Sequence, residues 1–372
     1  MDLQLNETQA RIRDLARDYA DRALAPNAAA REARGVVDRE ALREMAALGL
    51  MGVNIPTELG GAGAGAVSYA LAMMEVARGC ASTAVTMAVT NMVGEVINAL
   101  GTDAQRERYV PRLARGEYAA GSFALSEPEA GSDPGSMRTT ATRDGDRWII
   151  RGAKQWITSG DIAGVYVVWA RTGGVGTSGI SCFLVEGGMS GVRVGRHEDK
   201  MGLRASSTVA LTFDDVAVPL DAMLGVEGGG FRIAMMALDG GRIGIGAQAV
   251  GIATGALDVA LAARRGEEHP GGATEALLAD ARAELSAAKL MVLRAASLKE
   301  AKRPFSTEAA MAKVFASEAA WRITNRAVQA VGGDGDAREP EAERRMRDAR
   351  VTMIYEGTSE VQRIVIARAL LR

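Results

Sequence analysis

The sequence predicts an α+β fold of three successive domains: a helical N-terminal domain over residues 1–115, a β domain over 116–225 and a helical C-terminal domain over 226–372. Apolar residues recur about every 3.6 positions in the first and last domains, and about every second position in the middle one. At about 150 residues per domain, a chain of 372 residues holds two or three packed units. Aromatic residues make up only 4% of the chain, so its core must be aliphatic and rich in alanine, which favours closely packed helices.

The N-terminal domain is predicted from helix caps, loops and apolar runs. Asn6 followed by Gln9 is a capping box, and apolar residues recur after it at helical spacing. The glycine-rich run 60–65 reads as a loop. The apolar stretch 67–100 that follows predicts one or two well-buried helices.

The middle domain is predicted to be a small antiparallel β-barrel or sandwich. Asp144 and Gly145 form a two-residue hairpin signal between the strand patterns 139–143 and 148–150. Further strand patterns bounded by Gly, Asp or Pro follow at 165–169, 180–185, 192–194 and 209–213.

The C-terminal domain is predicted to be an antiparallel bundle of four long helices. They cover residues 230–265, 274–301, 306–331 and 359–371. The most apolar window of the chain, 245–263, includes Gln248 and Asp258, so we interpret it as a buried helix rather than a membrane span.

Composition excludes several classes of partner. Lys and Arg number 44 against 46 Asp and Glu, giving a net charge of −2, so no global positive field would hold nucleic acid or an anionic membrane. Cys80 and Cys182 cannot make a disulfide framework, and with His197 and His269 they cannot build an ordinary zinc site. Acids from Asp2 onward argue against a signal peptide. We therefore expect no metal and a reducing, cytoplasmic location.

Two segments of the middle domain could bind a polar cofactor. Residues 125–133, LSEPEAGSD, are either a polar surface turn or a loop that presents hydroxyl and N–H groups to a ligand. Residues 154–160, KQWITSG, place Trp156 beside Thr158. The indole is either part of the core or a plane on which a flavin ring could stack.

Two segments of the C-terminal domain could carry chemistry. Residues 239–242, DGGR, contain either an intrahelical ion pair or a binding pair. In residues 355–362, YEGTSEVQ, Gly357 is a turn and Ser359 with Gln362 is a capping box for the last helix. Glu356 then either merely precedes that helix or is a general base whose pKa is raised by an apolar pocket.

In this order and spacing, these segments resemble the acyl-CoA dehydrogenase family, and further matches occur at KMG (200–202), FDDVAVP (213–219) and RDAR (347–350). The resemblance runs from the first helix to Leu371. It implies the family's fold: a helical N-terminal domain, a middle antiparallel β-barrel or sandwich and a C-terminal four-helix bundle. The 238–253 stretch looks most like the short-chain, or butyryl-CoA, members.

The resemblance implies FAD-dependent α,β-dehydrogenation of an acyl-CoA thioester with a short or modified acyl group, within fatty acid metabolism. In the family, the glutamate of the YEG motif removes the α-proton while the β-hydrogen leaves as hydride to the flavin N5, so the base here is Glu356. Family analogy gives the donors to the thioester oxygen as the backbone N–H of Glu356 and a ribityl hydroxyl. Some relatives place the base at the position of Gly241, where this chain has no carboxylate.

The resemblance also implies a set of binding residues. Those implied for the cofactor are Phe123, Leu125, Ser126, Gly131, Ser132, Trp156, Ile157, Thr158, Gln329, Gly332, Gly333, Thr358 and Glu360. Those implied for the substrate are Ser132, Asp239, Arg242, Tyr355 and Gly357.

An electron-transfer flavoprotein is the implied electron acceptor, and a homo-oligomer, a dimer or homotetramer, is expected.

One departure from the family's sequence pattern leaves alternative functions open. Residues 264–274 lack the family's Arg-x-x-Phe-Gly segment and glutamine that reach the neighbour's FAD, and Asp336 replaces the aromatic after the GGxG turn. The alternatives are an acyl-thioester oxidase, a dehydrogenase of carrier-protein-bound acyl groups, or one subunit of a hetero-oligomer.

Overall fold

The computed structural model describes residues 4–174, 176–265, 271–332 and 340–371. Within these ranges the chain folds as helices, then a sheet, then helices, so the predicted fold class is confirmed.

The N-terminal helices enclose a core of small and aliphatic side chains. Their bounds are α1 Glu7–Tyr19, α2 Ala28–Arg34, α3 Arg39–Ala47, α4 Gly65–Gly79, α5 Ala81–Leu100 and α6 Asp103–Ala114. The predicted capping box is confirmed, because the Asn6 side chain accepts the N–H of Gln9 and the Gln9 side chain accepts the N–H of Asn6. The apolar stretch becomes two helices, α4 and α5, since Cys80 between them has an extended backbone.

The middle domain is an eight-stranded sheet with the order β6-β7-β3-β2-β4-β5-β8 and β1 beside β4. The strands are β1 Ala120–Ala124, β2 Thr140–Asp144, β3 Arg147–Thr158, β4 Ala163–Arg171, β5 Ile180–Glu186, β6 Val192–His197, β7 Thr208–Pro219 and β8 Met223–Leu224. The predicted hairpin joins β2 to β3, with its turn one residue later than the dipeptide suggested. Pairing is antiparallel except that β4 pairs in parallel with β1 and, at one residue, with β2.

The C-terminal domain contains the predicted helices and one that the sequence did not reveal. The helices are α7 Gly230–Ala263, α8 Gly272–Glu300, α9 Ser306–Val331, α10 Pro340–Arg350 and α11 Ser359–Leu370. The unforeseen helix is α10, which lacks a stripe of large apolar residues. It docks instead through buried arginines: the Arg345 Nη1 donates to the Arg78 carbonyl at 2.7 Å.

Helix α7 carries several of the residues that form the site. In the described ranges it is the one helix long and apolar enough to cross a membrane, yet 72% of its most apolar window is buried inside the protein. Gln248 in this helix is fully buried and donates to the Ala81 carbonyl at 2.9 Å. The predicted buried helix is thus confirmed, and it packs against α4, α5 and α9.

Candidate active site

The two motif segments of the middle domain, residues 125–133 and 154–160, form one surface, which we call the cradle. The Ser122 hydroxyl, on β1, donates to the Thr158 carbonyl of β3 at 2.7 Å, and the Gln155 N–H donates to the Ser126 carbonyl at 2.9 Å. These bonds pin the loop that follows β1 along the end of β3. The exposed atoms of the loop and of the strand can therefore contact the same ligand.

A buried ion pair closes the back of this cradle. Lys154 is fully buried, and its Nζ donates to the Glu127 carboxylate at 2.8 Å and to the Leu125 carbonyl at 3.1 Å. Burial lowers the pKa of Lys154 to about 8, against the opposing attraction of Glu127. Burial alone would raise the pKa of Glu127, but the Lys154 charge and the N–H groups of Arg138 and Thr139 hold that pKa below its ordinary value.

Trp156 offers an open aromatic plane at the front of the cradle. It lies where the pairing of β3 with β7 shifts register, its φ is +58°, and its side chain is 52% exposed. A Cβ at Gly131 would lie 3.3 Å from the indole, so the loop packs closely against the ring. An exposed indole on the strand that carries Thr158, packed against the loop that carries Ser126, fits a flat ring with polar edges, as a flavin has.

Three predicted cofactor residues of the cradle point into the protein. Leu125 and Ile157 are buried, and the Phe123 ring packs against Trp169 with 4.3 Å between ring centroids. A cofactor would meet Leu125 and Ile157 through their backbone atoms. Ser132, in contrast, lies on an exposed part of the loop.

The second part of the site is the turn before α11. Glu356 has φ +54° and Gly357 has φ +88°, so both residues are in the left-handed region. The predicted capping box of Ser359 with Gln362 is wrong, because Thr358 caps α11 and its side chain accepts the Val361 N–H at 3.3 Å. Glu360 lies exposed in the first helical turn. A non-glycine residue in this region is uncommon and is often found at functional sites.

Side chains from three helices hold this turn. The Lys313 Nζ of α9 donates to the Gly357 carbonyl at 2.7 Å. The Gln362 amide of α11 donates to the same carbonyl at 2.9 Å and to the Glu356 carbonyl at 3.3 Å. The Tyr355 hydroxyl bonds to the side chain of Gln248 on α7.

The Glu356 carboxylate has the environment of a base. Its Oε2 is buried and finds no hydrogen-bond partner in the described part of the chain. Burial raises the pKa of Glu356 to about 7, opposed in part by the cations Lys313 and Arg242. A Cβ at Gly241 of α7 would lie 2.6 Å from Oε2 and 3.2 Å from the Met92 sulfur, so glycine there leaves room for the carboxylate.

The predicted pair Asp239 and Arg242 lies one helical turn apart on α7, beside this turn. Arg242 is buried, and it bonds to the Asp239 carboxylate, which also accepts the Ser306 hydroxyl at 2.9 Å. Its Nε is buried with no partner among the residues described. Burial lowers the pKa of Arg242, while Asp239 and Glu356 favour its charged form.

The remaining predicted cofactor residues lie elsewhere. Gln329 and Gly332 are exposed at the C-terminal end of α9. Gln329 comes sixteen residues after Lys313, which at about 1.5 Å per residue puts it about 24 Å further along the helix. Gly333 and Asp336 lie outside the described residues, as do residues 266–270 of the segment that departs from the family.

The sequence alone did not predict which groups hold the two parts of the site together, namely Glu127, Lys154, Lys313, Gln248 and Gln362. One signal could have revealed Lys313: it shares a helical face with Ala309, Ala312 and Ala316. No group of three His, Cys, Asp or Glu side chains in the described ranges could hold a metal ion.

Three family models match successive parts of the chain. The acyl-CoA dehydrogenase N-terminal domain matches residues 6–117, the middle domain 122–216 and the C-terminal domain 228–371. Among curated relatives, the mitochondrial short-chain specific acyl-CoA dehydrogenase of Bos taurus is 46% identical over 379 residues, covering 100% of this chain and 92% of the relative.

Solved structures agree with these matches. Butyryl-CoA dehydrogenase from Megasphaera elsdenii superposes with a TM-score of 0.96 at 41% identity, with 100% of both chains covered. A chain from a study of the electron transferring flavoprotein of Acidaminococcus fermentans, directed towards a mechanism of flavin-based electron bifurcation, gives a TM-score of 0.97 at 42% identity, again with full coverage of both.

Proposed function

The chain belongs to the acyl-CoA dehydrogenase family, and from this premise we propose that it is an FAD-dependent enzyme that introduces the α,β double bond into a short-chain acyl-CoA. Members of the family are oxidoreductases and flavoproteins. The observation that carries the proposal is Glu356, a carboxylate with one oxygen sealed from solvent, presented on a left-handed turn beside a glycine of α7. The preference for short chains rests on the names of the relatives.

The cradle is the proposed cofactor site. Trp156, Ile157 and Thr158 would lie against one side of the flavin, and the loop from Phe123 to Ser132 would line the other. Thr358 and Glu360 would contact the phosphate and adenosine parts. Bound FAD supplies the acceptor for the hydride that leaves the β-carbon. The residues present fit such a group because they leave an indole exposed where a loop that carries Ser126 packs against the strand that carries Thr158.

Glu356 is the proposed base. The α-proton of a thioester is too weakly acidic to be removed by a carboxylate in water. Two features of this chain reduce the difference between the pKa of the α-proton and the pKa of the base. Burial raises the proton affinity of the base. In addition, no backbone carbonyl in the described ranges accepts the N–H of Glu356, which leaves this donor available for the thioester oxygen as enolate charge develops. The proton moves to the Glu356 carboxylate as the Cα electron pair forms the double bond.

The substrate's CoA arm is assigned to the adjoining polar residues. Ser132 on the loop would contact the pantetheine arm, and Asp239 and Arg242 on α7 would hold the CoA part and the turn that bears Glu356. Tyr355 and Gly357 would flank the thioester. Arg242 suits this role because its Nε is buried without a partner among the described residues and because the arginine links α7 to the neighbourhood of Glu356.

The proposed partners are an electron-transfer flavoprotein and further copies of the chain. Gln329 and Gly332 lie about 24 Å or more along α9 from Lys313, so a role for them at a flavin is better served by the flavin of a second copy in a homodimer or homotetramer. Cys80 and Cys182 are both free and buried, which accords with the reducing cytoplasm that we propose as the location.

The direct test is the visible spectrum of the purified protein before and after anaerobic addition of butyryl-CoA. We expect a bound-flavin spectrum that bleaches within seconds, whereas a long-chain acyl-CoA such as palmitoyl-CoA bleaches it far more slowly. A flavin that no acyl-CoA reduces would overturn the proposed reaction. Admitting oxygen afterwards separates a dehydrogenase, which reoxidises slowly, from an oxidase.

The raised pKa of Glu356 predicts the pH dependence of catalysis. Because the base must be ionised to accept a proton, kcat/KM is expected to rise with pH through a midpoint near about 7, where the Glu356 pKa lies, and to level off above it. The measurement is the initial rate at low butyryl-CoA from about pH 5 to about pH 9. A kcat/KM that is already nearly level across this range, as the ordinary glutamate pKa of 4.5 would produce, would show that the carboxylate is solvated in the free enzyme.

A further inference from the structure

Lys313 is a buried lysine on an otherwise apolar helix face. It lies in the first half of α9, its side chain is fully buried, and Ala309, Ala312 and Ala316 around it are buried as well. Removing an ammonium group from water costs several kcal/mol unless hydrogen bonds and charges compensate it. A lysine in this place is therefore explained by the contacts its Nζ makes, and the resolved hydrogen bond goes to the Gly357 carbonyl.

Two helices converge on that carbonyl from different directions. Lys313 donates to it at 2.7 Å from α9, and Gln362 donates to it at 2.9 Å from α11 while also reaching the Glu356 carbonyl. The residues whose carbonyls are held are the two left-handed ones. For glutamate this backbone conformation costs on the order of 1 kcal/mol, so external donors are needed to make it the single populated state.

The charged and titratable groups that face Glu356 come from three helices and its own segment. They are Lys313 of α9, Arg242 of α7, Tyr69 of α4 and the adjacent Tyr355. Burial lowers the pKa of Lys313 to about 7, and the positive charge of Arg242 lowers it further. The negative charges of Glu356, Glu360 and Glu318 act in the opposite direction and raise this pKa. Of the groups facing Glu356, Lys313 is the one that also bonds to the turn.

We propose that Lys313 is a positioning residue for catalysis: its ammonium group, together with the Gln362 amide, holds the backbone of Glu356 and Gly357 in the left-handed turn that aims the carboxylate. This inference rests on the proposed function of Glu356 as the base. It adds a second consequence, because a cation held beside the carboxylate favours its ionised, proton-accepting form against the effect of burial.

The test compares Lys313→Met, which removes donor and charge, with Gln362→Met, which removes a donor without removing a charge. For Lys313→Met we expect kcat with butyryl-CoA to fall about tenfold or more, and the midpoint of the kcat/KM pH profile to rise by about one unit, because the nearby cation is gone. For Gln362→Met we expect a fall in kcat with the midpoint unchanged. Lys313→Arg keeps the charge and should keep the wild-type midpoint.

The controls separate this inference from the proposed function. Lys289→Met removes an exposed lysine of α8 and should match wild type, and the visible flavin absorbance reports whether each variant is folded. Wild-type flavin that no acyl-CoA bleaches would refute the function itself. Wild-type bleaching together with an unshifted midpoint in Lys313→Met would refute the role of Lys313 alone. Should that variant not retain flavin, Lys313→Gln, a neutral donor, decides by the same midpoint.

Discussion

Glu356→Gln is expected to slow flavin reduction by butyryl-CoA by between about 10²-fold and 10⁴-fold, the range that loss of a general base produces. Glutamine preserves the volume and most of the polarity of the side chain, but it cannot accept the α-proton. The measurement is the anaerobic single-turnover rate at saturating butyryl-CoA, which isolates the reductive step from reoxidation.

The same variant is expected to fold and to keep FAD. The Oε2 of Glu356 has no partner among the described residues that the substitution would orphan, and the amide has no charge to desolvate. The sign of the pH effect supports this. The folded-state pKa of Glu356 is raised to about 7, so its contribution to stability is present below the ordinary value of 4.5 and is lost as pH rises through about 7. Glutamine does not ionise, so the variant avoids this loss of stability. Its Tm above pH 7 should therefore not be lower than that of the wild type.

A matched control is Glu107→Gln, the same chemical change on the exposed face of α6. It should leave both flavin content and the reductive rate at wild-type values. Wild-type-like reduction by the Glu356→Gln protein would refute the assignment of the base, since Gly241 offers no carboxylate in its place.

Sequence periodicity predicted those parts of the fold in which local signals and tertiary packing agree. The capping box of α1, the β2–β3 hairpin and the long bundle helices have such signals and are found in the structure. The strand β1 and the helix α10 have no such local signals. β1 has five residues and pairs in parallel with β4, a partner about forty residues away that no local pattern reveals. α10 is charged on most faces and is ordered by buried arginines.

For the site, motif resemblance identified residues that would face ligands, whereas it missed the residues that hold them. Glu356 is conspicuous in its motif, and the structure adds the burial of its Oε2. Lys313 donates to the Gly357 carbonyl, and Gln362 donates to the carbonyls of both Gly357 and Glu356. Such contacts depend on how α9 and α11 meet in space. The side chain of Ile157 on β3 faces the core for the same reason: the alternation of a strand gives two faces, and tertiary packing decides which one is buried.

Lys154→Met is expected to destabilise the protein by about 3–5 kcal/mol, the cost of breaking a buried ion pair from one side. The substitution leaves the Glu127 carboxylate buried, with the N–H groups of Arg138 and Thr139 as its remaining partners. It also frees the Leu125 carbonyl, so the loop loses one of its attachments to β3 and the affinity for FAD should fall with stability. Denaturant unfolding and titration with FAD measure the two effects.

The double variant Lys154→Met/Glu127→Gln distinguishes the ion pair from simple loss of packing. With both charges removed, no uncompensated ion is left in the core, so the double variant should recover a substantial part of the stability that Lys154→Met loses. Arg151→Met is the matched control, because Arg151 on the same strand pairs with Asp215 while both side chains are more than half exposed. Solvent screens that pair, so its loss should cost about 1 kcal/mol or less. Equal effects of Lys154→Met and Arg151→Met, or no recovery in the double variant, would show that the cradle does not depend on the buried charges.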